Sequence, residues 1–154
     1  MKKIKILIFL LLLALLETTG LDSIRIFNVR PDLILIAVIV LGFSYNLSAT
    51  LMFSFFAGFI KDILSTGPFG LNTFIFVLIG YTVLRLSKRF IIEGLILRIA
   101  IISIAVILEN LVAGSILSFY ASPIALGILL RLSLLSAIYT AFFSYPIFKL
   151  LNYI

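Results

Sequence analysis

Long apolar runs, broken by short polar stretches, make up most of this chain. Within each run polar residues do not recur with a regular period, so the runs are apolar all round, as in helices buried in lipid or inside a bundle. A helix needs about 20 apolar residues to cross a hydrocarbon core about 30 Å thick. The runs predict six membrane-spanning helices, the second and fourth of them short: Ile4–Leu21, Asp32–Tyr45, Leu47–Leu64, Leu71–Leu86, Leu95–Phe119 and Ile124–Tyr145.

Composition supports this class. Of the 154 residues, 64% are hydrophobic and only 12% are charged, which is too little charge for the surface of a soluble domain. The predicted fold is an all-α polytopic membrane protein, a six-transmembrane-helix bundle that forms a single integral membrane domain over residues 1–154. The chain has no Cys or His, so the usual zinc, haem and thiolate sites are not expected. The net charge of +6 lies in clusters beside the apolar runs, which favours contact with lipid headgroups rather than nucleic acid.

The first apolar run has the basic start of a secretory signal, because Lys2, Lys3 and Lys5 precede it. No small-x-small cleavage site follows, since the next residues are Leu16-Glu17-Thr18-Thr19. We therefore expect an uncleaved first transmembrane helix.

An alternative joins Leu33 to Phe59 as one long helix and leaves five spans. The positive-inside rule distinguishes the two topologies. With six spans and a cytoplasmic N-terminus, eight basic residues lie inside and three outside; with five spans, four lie inside and seven outside. The rule favours six spans with both termini cytoplasmic. The eight are Lys2, Lys3, Lys5, Arg85, Lys88, Arg89, Arg98 and Lys149.

Prolines predict several helix ends. Pro31 suits the first turn of the second helix, and Asp32 beside it favours the positive end of the helix dipole. Ser122-Pro123 predicts the start of the sixth helix. Pro146 is expected to end that helix and leave an interfacial tail, because proline cannot donate the next helical hydrogen bond.

One turn concentrates polar chemistry between two apolar runs, from Gly58 through Asp62 to Gly70. Ions at membrane depth are costly and are therefore candidates for function. Asp32 and Asp62 lie between apolar residues at predicted helix ends, which favours contact with protein or a wet cavity. Asp22 and Arg25 lie in a predicted outer loop, where a solvated rim is the better interpretation. The predicted outer rim comprises Asp32, Asp62, Ser65, Pro68 and Gly70.

Glu109 and Arg131 are the deepest ions. Glu109 lies about 15 Å below the outer end of the fifth helix, and Arg131 about 12 Å below that of the sixth. Nearly equal depth on consecutive antiparallel helices predicts an intramembrane ion pair between them. A structural staple is the favoured interpretation over a proton relay, because no further chain of titratable groups accompanies the pair. No catalytic, phosphate-binding or metal-ligand motif occurs, so neither an enzyme nor a cofactor is expected.

The same residues resemble the rod shape-determining protein MreD family. The resemblance rests on Pro31-Asp32-Leu33, on Gly58-x3-Asp62-x2-Ser65-x2-Pro68-x-Gly70-Leu71, and on Ile79-Gly80-Tyr81 followed by a basic stretch from Arg85 to Arg89. The last two spans are similar only in hydropathy. The resemblance covers nearly the whole chain.

The resemblance implies a non-enzymatic scaffold of the bacterial elongation machinery in the cytoplasmic membrane. It implies binding to MreC and, indirectly, to MreB, RodA and a class B penicillin-binding protein, in support of lateral peptidoglycan synthesis and rod shape. It also implies a fold similar to the S-components of energy-coupling-factor transporters. The outer rim would then lie near the docking site of the MreC transmembrane helix. Polar residues for interhelical hydrogen bonds would be Ser44, Asn46, Ser48, Thr50, Asn72 and Thr73.

A second hypothesis is a substrate-binding subunit of a small-solute, vitamin-type transporter. The implied fold and the polar outer rim favour it. Against it, the first helix has only Ala14 where S-components typically carry an Ala-x3-Ala motif, and the chain lacks Trp to stack on an aromatic ligand.

Overall fold

The computed structural model describes residues 2–20, 31–65, 67–90, 94–120 and 126–151, and within them the chain is helical with no strand. A π-helical turn, Leu16–Gly20, directly continues the first α-helix. The predicted outer loop with Asp22, Arg25 and Arg30, and the predicted cap at Ser122-Pro123, lie outside the described residues. The six α-helices described are α1 Lys2–Leu15, α2 Leu33–Ser44, α3 Leu47–Leu64, α4 Leu71–Arg89, α5 Leu95–Tyr120 and α6 Leu126–Leu151.

The break between α2 and α3 excludes the long helix of the five-span alternative. At the end of α2, the Tyr45 N–H donates to the Leu41 carbonyl at 2.9 Å, and Tyr45 itself is extended. The Asn46 side chain then caps α3 by accepting from the Ala49 N–H at 3.1 Å. Asparagine is among the preferred N-cap residues because its side chain satisfies a backbone donor of the first turn. The observed α3 has the predicted bounds.

The prediction that Pro146 ends the sixth helix is wrong. α6 continues to Leu151 with Pro146 inside it. Ile147, directly after the proline, is buried and belongs to the apolar core, so packing holds this part of the chain against the bundle. In spanning helices proline is tolerated where neighbouring groups take over the freed carbonyl.

α2 is the central helix of the bundle. Residues Leu33 to Gly42 are all buried, and α2 packs against α1, α3, α4 and α6 with a smaller contact to α5. This burial explains why α2 shows no polar face. At 12 residues it is about 18 Å long, shorter than a hydrocarbon core.

The outside of the bundle is more apolar than parts of its inside. Large side chains such as Ile96, Phe119 and Phe142 are more than three-quarters exposed, while Thr140 and Ser144 of α6 are fully buried. Soluble monomers rarely expose apolar surface so extensively, whereas this is the ordinary surface of a chain in lipid. Four of the described helices (α3, α4, α5 and α6) are long and apolar enough to cross a membrane.

α3 and α4 form the closest helix pair, and two glycines permit the approach. A Cβ added at Gly58 would overlap the Thr73 backbone and lie 2.8 Å from the Asn72 carbonyl. A Cβ at Gly80 would overlap the Ser54 hydroxyl. Small residues allow such backbone approach where burial from water contributes little to helix association.

Candidate functional site

A buried ionic cluster lies where the described helices converge, with Lys61 at its centre. Lys61, in the last turn of α3, forms ion pairs with Asp32 before α2 and with Glu109 of α5, the latter at 2.7 Å. The three side chains are only 19%, 9% and 6% exposed, respectively. The Lys61 ammonium also lies 4.8 Å from the centre of the Phe76 ring on α4.

Two more helices join this cluster through hydrogen bonds. The Asp32 carboxylate caps α2 by accepting from the Leu35 N–H at 2.8 Å, and the Asp32 N–H donates to the Thr140 hydroxyl of α6 at 3.1 Å. Glu17, in the π-helical turn after α1, accepts from the Ile34 N–H at 3.4 Å. A π-helical turn often occurs at a functional position, and here it directs a carboxylate towards the cluster. All six described helices or their caps therefore contribute to one region.

The cluster contains three carboxylates and one ammonium among the described residues. Glu109 uses one oxygen to accept from Lys61, and its second oxygen, Oε2, has no hydrogen-bond partner in the described part of the chain. An unsatisfied buried oxygen costs about 1–3 kcal/mol, and more when the group is charged. The acidic residues described do not form a group that could hold a metal ion. The arrangement is suited to joining helices.

Asp62, next to Lys61 in sequence, belongs to a second network that fixes the turn between α3 and α4. Its carboxylate accepts from the N–H groups of Asn72 at 2.9 Å and Thr73 at 3.0 Å, and from the Thr73 hydroxyl at 2.5 Å. The N-cap of α4 is Gly70, which has no side chain to cap the helix and adopts φ 93°. Asp62 supplies the missing cap from α3.

The other residues of the predicted outer rim shape the same turn. The Ser65 hydroxyl accepts from the Asn72 side chain at 3.3 Å, and the Pro68 carbonyl accepts from the Leu71 N–H at 3.3 Å. The left-handed backbone at Gly70 is the conformation that glycine adopts without steric cost. The structure brings Asp62, Ser65, Pro68 and Gly70 together in this turn, whereas Asp32 belongs to the cluster around Lys61. Contact of this rim with a partner stays a prediction.

The predicted pairing of Glu109 with Arg131 is wrong. Glu109 pairs with Lys61, and Arg131 is exposed on α6 without an ion pair to the described residues. The prediction rested on the depth of the two residues in the membrane. Whether the two side chains can meet depends also on the direction in which each points around its helix axis. Arg131 precedes the buried Thr140 by nine residues, or two and a half turns, so it lies on the opposite side of α6.

Sequence reasoning missed Lys61 as the centre of the cluster. The position of Lys61 could have indicated this role, because it follows an apolar run and lies beside Asp62 in the last turn of α3. Nothing in the sequence predicted that the Thr140 hydroxyl accepts a hydrogen bond from Asp32. Of the predicted polar residues, Asn72 and Thr73 bond to α3 within the chain, while Ser44 donates to Val40 of its own helix at 3.1 Å.

Comparison with known proteins identifies one family. The family model described as rod shape-determining protein MreD matches residues 2–154, nearly the whole chain. No curated protein and no solved structure matches the chain. Family membership and four long apolar helices make it a membrane protein of the rod-shape-determining system. The chain therefore belongs to the rod shape-determining protein MreD family.

Proposed function

We propose that this protein is a non-enzymatic scaffold of the bacterial elongation machinery that binds MreC in the cytoplasmic membrane. Through MreC it would be linked to MreB, RodA and a class B penicillin-binding protein, and so support lateral peptidoglycan synthesis. The observation that carries this proposal is the family match over residues 2–154.

The form of the molecule supports a scaffold. The described connections between helices are short, and 154 residues provide little mass outside the membrane. A protein of this form acts on others through the lipid-facing sides of its helices and through its rims. In lipid such surfaces associate by packing and interhelical hydrogen bonds. The described polar side chains in the bundle mostly bond within the chain, as expected of a rigid support.

The proposal includes a topology and a fold relationship. The chain would form one integral membrane domain over residues 1–154, with six spans and both termini in the cytoplasm. Two spans would begin or end inside the bilayer, because the apolar segments Ile4–Leu15 and Leu33–Ser44 are short. Similarity to transporter S-components stays a prediction, which an experimental structure would test.

Co-purification with MreC tests the proposed function. The tagged protein is expressed in its own bacterium, extracted in mild detergent and probed for MreC. An unrelated polytopic membrane protein with the same tag is the control. We expect MreC to co-purify with this protein and not with the control. We also expect the cells to lose their rod shape when the gene is depleted. Cells that keep their shape, or MreC recovered equally with the control, would contradict the proposal.

A further inference from the structure

An open groove runs between α4 and α5 on the outside of the bundle. It encloses about 320 Å³ and extends along α4 from Phe74 to Leu86, or about 18 Å. On α5 it extends from Ile101 to Val112. We call it the α4–α5 groove. The hydrocarbon of one leaflet is about 15 Å thick, half of a core of about 30 Å, so the groove is long enough to hold an acyl chain along its length.

The wall of the groove offers almost nothing to a polar occupant. Its lining residues are apolar except Thr82 and Glu109. The Thr82 hydroxyl donates to the Leu78 carbonyl of its own helix at 2.8 Å. Glu109 is only 5% exposed and already pairs with Lys61. An acyl chain has no donor or acceptor, so it leaves no polar group unsatisfied against such a wall.

Three arginines lie at one end of the groove. Arg89 follows Leu86 by three residues, almost one turn, and so continues the groove side of α4. Arg98 precedes Ile101 by the same distance on α5, and Arg85 lies one turn before Arg89. Only five residues separate the end of α4 from the start of α5, so the three arginines belong to the same end of the bundle.

The contacts of these arginines within the chain leave the end of the groove positive. The Arg85 Nε donates to the Tyr81 hydroxyl at 3.0 Å, and the Arg98 guanidinium lies 5.7 Å from the centre of the Phe43 ring. No carboxylate among the described residues pairs with Arg85 or Arg89. Residues 85–98 carry four basic side chains and one acidic one, which gives this stretch a net charge of +3.

We propose that an anionic phospholipid occupies the α4–α5 groove, with an acyl chain along the apolar wall and its phosphate held by Arg85, Arg89 and Arg98. Basic pockets between transmembrane helices bind anionic headgroups, and a planar guanidinium binds phosphate oxygens in bidentate geometry. A zwitterionic lipid fits the same wall, but its ammonium group is repelled by the arginines. The site goes beyond the proposed function, since it needs neither MreC nor any other protein.

Tryptophan fluorescence tests the site, because the chain has no Trp of its own. Leu78→Trp places a single reporter in the groove, and Leu108→Trp is a second reporter on its α5 side. The purified full-length protein is reconstituted in bilayers that contain a lipid with brominated acyl chains, which quench tryptophan. This lipid carries either a phosphatidylglycerol or a phosphatidylcholine headgroup, at the same mole fraction.

Leu134→Trp on α6 is the matched control for ordinary lipid contact. Leu134 is 54% exposed and Leu78 is 49% exposed. A Cβ added at Gly114 of α5 would overlap the Leu129 side chain of α6, so these two residues lie at one level. On antiparallel helices Leu134 then lies level with Glu109 of the groove, at a depth close to that of Leu78.

Arg89→Gln tests the charge contact, and Lys88→Gln is its matched control. Each removes one positive charge from an exposed residue at the end of α4. Lys88 follows Leu86 by only two residues, about half a turn, and so points away from the groove. Because both side chains are exposed, both proteins should fold, which their gel-filtration profiles check.

We expect both groove reporters to prefer phosphatidylglycerol by about fivefold or more relative to Leu134→Trp. Arg89→Gln should lower this preference about fivefold, which is the contribution of one cation near an anionic headgroup. Lys88→Gln should change it little.

Three results would overturn the proposal. An equal preference at the groove and control positions would show that the groove does not select the headgroup. An equal loss with Lys88→Gln and Arg89→Gln would show that general surface charge attracts the lipid. Weak quenching of both groove reporters by either lipid would show that protein covers the groove. The proposed function would survive each result, because recovery of MreC with the Arg89→Gln protein is measured separately.

Discussion

Among single residues, Lys61 pairs with two carboxylates, one at the start of α2 and one in α5. Asp32 and Glu109 are each less than one-tenth exposed, so their charges depend on the ammonium between them. An ion pair in a low-dielectric site contributes little net stability, because both ions lose their hydration. Removing one ion is costly, since the survivors stay buried and uncompensated.

Lys61→Met should therefore destabilise the protein by about 3–5 kcal/mol, which is the usual cost of breaking a buried pair from one side. Adding Asp32→Asn and Glu109→Gln to Lys61→Met should recover much of that loss, because it also removes the charges of the two carboxylates that pair with Lys61. Thermal unfolding of the detergent-purified proteins measures both effects. A triple variant less stable than Lys61→Met would contradict the view that Lys61 offsets the buried charges of Asp32 and Glu109.

Among the helices, the α3–α4 pair depends on backbone proximity rather than on large side chains. Gly58 lies against the backbone of Thr73, and a backbone cannot move aside as a flexible side chain can. Asp62 caps α4 four residues later, so proximity and capping occur on the same side of α3. The motif that carries the family resemblance is thus in large part the sequence of a tight helical hairpin.

Gly58→Ala should destabilise the bundle by about 1–3 kcal/mol, because the added methyl group forces α3 and α4 apart. Gly127→Ala is the matched control, since an added Cβ there meets nothing within 4 Å. Gly127 lies in the first turn of α6, and alanine is at least as favourable as glycine in a helix, so the control should be neutral or slightly stabilising. Thermal unfolding compares the two proteins. Equal effects of the two substitutions would show that α3 and α4 are not in close contact.

The helices themselves could be predicted because each depends on a local property, the length of an apolar run. α3 has the predicted bounds, and the other helices differ mainly at their ends. The course of α6 beyond Pro146 could not be predicted, because packing of Ile147 overrides a local preference. The partner of Glu109 could not be predicted either. Residue counts give the depth of Arg131 in the membrane, but the direction of its side chain depends on how α6 is rotated about its axis.

For the whole molecule, the orientation in the membrane decides which rim meets which compartment. The turn with Phe69 and the basic end of α4 with Lys88 lie at opposite ends of one helix. The positive-inside rule predicts that Lys88 lies in the cytoplasm and the turn outside.

Single cysteines test this orientation directly. In intact cells a membrane-impermeant maleimide should label Phe69→Cys, and it should label Lys88→Cys only after the membrane is permeabilised. Both side chains are exposed, so accessibility within the fold does not limit the reaction. Labelling of Lys88→Cys but not of Phe69→Cys in intact cells would invert the topology.

The enclosure of α2 by its neighbours has a practical consequence for genetics. No other macromolecule can touch the residues between Leu33 and Gly42 without first dismantling the fold. Substitutions there can alter how the polypeptide matures and persists, but not which neighbours it recruits. Substitutions in this segment therefore show how much loss of rod shape results from a lower amount of folded protein. A substitution on the exposed side of another helix that causes a greater loss of shape indicates a lost contact with a partner.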